Sequence, residues 1–111
     1  MKLSIVDRII IDQSILPEAG TIEAIKTIIS IRKKLAFSQA EMMGLSISKP
    51  YGNIVQIDKV TPEMVVRETD YPLAENEIIF LKNMSKNCNE NGWVTMDSLD
   101  TIEMILNYNE Q

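Results

Sequence analysis

Acidic side chains come in close pairs along this chain: Glu68 with Asp70, Glu75 with Glu77, and Asp97 with Asp100. Two carboxyl groups can divide the work of acid and base when burial or crowding drives their pKa values apart. Each pair, however, stands near the expected start of a helix, where an acid complements the positive end of the helix dipole. A structural role is the expectation for all three. Asp58-Lys59 is a fragment of the acid-and-lysine pattern of metal-dependent nucleases, with no upstream partner at a matching spacing. Cys88 falls on the apolar side of an expected helix with only Lys86 nearby as a cation, so a buried, inert thiol is expected.

Composition removes most other chemistries. There is no His among 111 residues and Cys88 is alone. That excludes zinc sites of the usual ligand types, Ser-His-Asp triads, Cys-His pairs, imidazole acid–base work and an internal disulfide. Gly20, Gly44, Gly52 and Gly92 are scattered and build no phosphate-cradling loop, which argues against a nucleotide cofactor. The reading is a chain with no catalytic residue, metal ligand or cofactor, and hence not an enzyme.

The elements that would carry any site come next. The length suits one domain over 1–111, and a 45% hydrophobic share supports one core. The core is aliphatic, with 5% aromatic residues and seven Met, a side chain that fills gaps and also suits adaptable surfaces. A net charge of −5 works against nucleic acid or anionic lipid, although a local basic patch can dominate a site. Residues 1–16 carry Asp7, Arg8 and Asp12 inside their apolar stretch, so neither a signal peptide nor a membrane span is expected. The expected setting is cytoplasmic, without a membrane partner, and the Asn83-Met84-Ser85 sequon is then idle.

Ser4 caps an expected helix that runs to about Ile15, stopped by Pro17 and Gly20. Ile5, Val6, Ile9, Ile10 and Leu16 share one broad face, with Ile11 and Ile15 on the other. Such a helix is central in the core, or else offers Ile11 and Ile15 as an interaction surface. Thr21 to Leu35 is strongly amphipathic, with Ile22, Ile25, Ile28, Ile29, Ile31 and Leu35 opposite its charged arc. Ser38-Gln39-Ala40-Glu41 is a capping box opening a short helix that ends near Gly44.

The period then shifts. Ile54 to Asp58 alternates like a strand, Thr61-Pro62-Glu63 supplies a turn, and Met64 to Thr69 returns, giving a central antiparallel hairpin over about 54–69. Leu73 to about Asn89 is a further helix. Trp93 and Val94 are expected to anchor the next loop in the core, and Thr95 caps a last helix burying Leu99, Ile102, Ile105 and Leu106. The fold class is α+β, mainly helical, with about five helices.

Asp7-Arg8-Ile9-Ile10, Ile15 to Gly20 and Leu35 to Glu41 resemble segments of small uncharacterised proteins of bacteriophages and prophages, most clearly over residues 1–45. The resemblance implies a bacterial cytoplasm and an accessory role, and carries over no catalytic residue. Two functions follow. The first is a non-enzymatic interaction or assembly module that binds a protein partner or itself, with a homodimer the expected arrangement. The alternative is a winged-helix-like DNA-binding regulator. In that reading Ser38 to Leu45 enters the major groove and Lys49 and Lys59 flank the wing. Against it, the reading segment has no cation and carries Glu41.

Overall fold

The computed structural model describes residues 1–45 and 62–109. Strand β1 (Lys2–Ser4) leads into α1 (Ile5–Ile10), which a π-helical segment (Ile11–Ile15) continues. Then come α2 (Ile22–Leu35), α3 (Gln39–Leu45), α4 (Pro62–Val66), β2 (Glu68–Asp70), α5 (Glu75–Glu90) and α6 (Leu99–Leu106). The fold is α+β and mainly helical, as its patterning indicates.

The sheet is built from an unexpected pair. β1 and β2 run antiparallel, with Lys2 opposite Asp70, Leu3 opposite Thr69 and Ser4 opposite Glu68. The expected strand 54–58 lies outside the described residues. Across the expected turn and the start of the expected return strand Met64 to Thr69, Pro62–Val66 is helical, and the extended segment is Glu68–Asp70. Pro62 has the fixed φ of a first helical position and Glu63 complements the dipole. Glu63 also pairs with Arg67 one turn on, at 3.2 Å. The β-branched Val65-Val66 pair favours a strand locally, but helix formation lets Met64 reach the core beside Ile9 and Phe37.

The first helix occupies the centre. Ser4 and Asp7 form a reciprocal capping box, Asp7 N–H donating to Ser4 Oγ and Ser4 N–H to Asp7 Oδ2. Asp7 Oδ1 also accepts from the Thr101 hydroxyl at 2.7 Å, which ties α6 to the start of α1. Its far end is wound one residue wider, with Leu16 N–H donating to Ile11 C=O. Ile9 packs with Phe37 and Met64 in one cluster. Ile10, Ile11, Ile15 and Leu16 pack with Ile28 and Ile31 of α2, Leu81 of α5 and Ile105 of α6 in the main core.

Ile11 and Ile15 are therefore buried within this chain, at 0% and 4% exposure. They are not a free interaction surface. The helix is apolar on both sides because neighbours cover both sides.

Arg8 is the exception in this helix, and it is only 3% exposed. Its Nε and Nη2 donate to Leu35 C=O, and Nη2 also donates to Ala36 C=O. Those carbonyls end α2, where the helix dipole is negative. Nη1 meets Glu41 Oε2 at 2.6 Å, and the guanidinium lies over the Phe37 ring at 4.3 Å and the Tyr71 ring at 5.0 Å. Glu41 meanwhile accepts from Ser38 N–H, completing the expected capping box of α3. One side chain thus holds α1, the end of α2 and the start of α3 together.

Removing that side chain would leave two helix-end carbonyls and a partly buried carboxylate without their donor. Arg8→Met is expected to cost about 3 kcal/mol or more in urea unfolding, with Arg8→Lys recovering only part of it because an ammonium lacks the planar fork. A loss under about 1 kcal/mol would show that the corner is held by packing alone.

Candidate functional site

Among the described residues the buried charged side chains, Arg8 and Glu77, are each committed to an opposite charge and to further hydrogen bonds. Glu77, 2% exposed, accepts from Lys34 Nζ, from Ser30 Oγ at 2.6 Å and from Ala74 N–H at 2.7 Å. Burial pushes its carboxyl up, but the bonds from Lys34, Ser30 and Ala74 and the Lys34 charge outweigh burial and hold it below the usual carboxylate value. Glu41 behaves alike: burial raises it, and Arg8 and Ser38 bring it below. Arg32 pairs with Asp12 at 2.8 Å and with Glu18 at 3.0 Å. A depression between Arg8, Asp12, Arg32 and Phe37 has about 10 Å³ of room, roughly one water.

Of the six paired carboxylates only Glu77 is buried. Glu68 and Asp70 are exposed on β2, not at a helix start, and Asp70 takes the ammonium of Met1 at 2.9 Å. Glu75 and Glu77 stand in the first turn of α5, with Glu75 exposed and Glu77 engaged as above. Asp97 and Asp100 are exposed before and within the first turn of α6. Cys88 is buried; burial pushes its thiol up, and Sγ faces Ser14 C=O at 3.7 Å. Asp58, Lys59 and Lys49 lie outside the described residues. Among the described residues no three His, Cys, Asp or Glu gather as ligands for a metal ion, and no helix is long and apolar enough to cross a membrane.

Several large apolar side chains stay outside among the described residues. Trp93 is 66% exposed and Met96 95%, on the connection between α5 and α6, while Val94 alone of the expected anchors packs against the core. Gly92, at φ 69°, makes the turn that ends α5 and sends Trp93 outward. Leu99 and Leu106 of α6 are exposed rather than buried, because Thr101, Ile102 and Ile105 take the inward face. On α2 the inward face belongs to Ile28, Ile31 and Leu35, which leaves Ile22 and Ile29 in solvent. An amphipathic pattern covering half a helix marks more apolar residues than one neighbour can cover.

No family model, curated protein or solved structure matches the chain. On a wheel of 100° per residue Arg8 lies between the two apolar faces of its helix, where a cation needs a buried partner. Glu77 carries no such signal, because in the sequence it resembles any acid near a helix start.

The depressed Glu77 value fixes a direction for pH. A carboxyl whose folded pKa lies below its unfolded one contributes stability in full above the unfolded value and loses it as pH falls through the folded one. Glu77→Gln should therefore be less stable than wild type at neutral pH, and the difference should shrink on acidification below the ordinary carboxylate range. Thermal melts at a series of pH values test this; a constant difference across that range would show that the charge of Glu77 contributes nothing.

Proposed function

We propose that this chain is a non-enzymatic protein-interaction module that assembles with itself, of phage or prophage origin and acting in a bacterial cytoplasm. The supporting observation is the pair Trp93 and Met96, set in solvent on the α5–α6 connection beside the exposed Leu99. Trp is a frequent centre of binding energy at interfaces, and Met adapts its shape to a partner. Isolated exposed apolar residues are ordinary, but a run at Trp93, Met96 and Leu99 asks for cover.

Light scattering across a concentration series tests the reading. The mass is expected to rise above the 12.6 kDa of one chain, with the emission of Trp93 moving to the blue as its ring leaves water. A mass fixed at one chain up to millimolar protein, with unchanged emission, would sink the reading.

One observation favours the DNA-binding alternative. A connection of only three residues, Ala36 to Ser38, joins α2 to α3, which is the spacing of a helix-turn-helix. The outward residues of α3, Gln39, Ala40 and Met43, supply no cation for phosphate. This alternative expects duplex DNA to be retarded at low salt, less so after Lys49→Gln and Lys59→Gln. No retardation at low salt removes it.

A further inference from the structure

Two helices present outward stripes of the same spacing and opposite charge. On α2, Ile22, Lys26, Ile29 and Lys33 stand at i, i+4, i+7 and i+11, which places them on one stripe, and all four are exposed. On α6, Leu99, Glu103 and Leu106 stand at i, i+4 and i+7 and are likewise exposed. In both, an apolar residue recurs after two turns with a charge between, basic on α2 and acidic on α6.

The charges on these stripes are unspent. Arg32 and Lys34 of α2 are taken by Asp12 and Glu18 and by Glu77. Among the described residues Lys26 and Lys33 have no carboxylate partner, and Glu103 has no cation. The sequence around α6 adds to the contrast, although Lys82 of α5 reaches the Tyr108 carbonyl just beyond the helix. From Asn87 to the last residue the chain has five acids, Glu90, Asp97, Asp100, Glu103 and Glu110, and no Lys or Arg. A second α6 would therefore be repelled, whereas the α2 stripe matches it in apolar spacing and in sign.

We propose that the outer face of α2 in one copy seats on the outer face of α6 in a second copy, Ile22 and Ile29 packing on Leu99 and Leu106 while Lys26 and Lys33 flank Glu103. The proposal rests on the self-assembly reading and names its surface. Trp93 and Met96 extend the apolar side of the contact from the connection into α6. Every copy carries both stripes, so two copies can exchange the contact reciprocally in a two-fold dimer, or the contact repeats head to tail. Helices of 14 and 8 residues make a small interface, of the weak and salt-sensitive kind.

Charge exchange tests it. Lys26→Glu with Lys33→Glu makes both stripes acidic, and Glu103→Lys makes both basic; each variant alone should associate about tenfold more weakly than wild type or worse. Mixing the two should restore association, because each then offers the other a complementary stripe. All three positions are exposed, and circular dichroism checks that the fold is kept. Ile29→Ser with Leu106→Ser gives a charge-neutral second variant, also expected to weaken association. If wild type associates and the variants do so equally, or the mixture does not recover, the α2–α6 contact is wrong while self-assembly stands. If wild type remains a single chain at every concentration, both are overturned.

Discussion

A guanidinium placed in a protein interior must find partners, and the arrangement of the first three helices follows from how Arg8 finds them. Its donors reach the two carbonyls that end α2 and the carboxylate that opens α3, while two aromatic rings lie against its faces. The same residue thus supplies a helix C-cap, an ion pair and a packing surface. Glu41 is shared in turn, since it also accepts from the backbone that starts its own helix. A corner tied this way has little freedom to slide, because any shift of α2 against α1 would strand buried polar atoms.

Glu77 plays the matching part on the other side of α2. It gathers Lys34 and Ser30 from α2 and the amide of Ala74 from the entry to α5, so a single buried carboxylate aligns two helices. Both buried charges sit where helix termini meet side chains, and both are satisfied by several donors or acceptors at once. That is the condition under which a charge tolerates an interior of low polarity. Among the described residues, the two charges that the interior encloses most deeply, Arg8 and Glu77, are spent on holding helices in place.

The outside shows the complementary consequence. Among the described residues α2 to α6 pack around the central α1, and α2 and α6 each bury a narrower stripe than their apolar residues could fill. Ile22 and Ile29 on α2, Leu99 and Leu106 on α6, and Trp93 and Met96 between α5 and α6 belong to the surplus, as do Met43, Val66 and Ile79. Surplus apolar surface of this kind is where association begins, and the charges interleaved with it decide which surfaces can meet.

Much of the helical part was legible in the sequence. The caps at Ser4 and Ser38 and the inward residues Ile28, Ile31, Ile102 and Ile105 follow from side-chain chemistry and period, which are local properties. The sheet was not legible, because β1 and β2 are 3-residue strands some 60 residues apart, and Glu68-Thr69-Asp70 is wholly exposed, with no apolar alternation to announce it. The fate of Ile11 and Ile15 against that of Ile22 and Ile29 was equally closed to sequence. Both pairs are isoleucines on amphipathic helices, and only the position of each helix, central for the first and peripheral for the second, decided which was covered. The chain's own pattern determined α1, α2, α3, α5 and α6, though not α4, and the absence of His and paired Cys chemistry. Tertiary structure alone decided which apolar residues remain in solvent, because burial depends on neighbours brought from elsewhere in the chain.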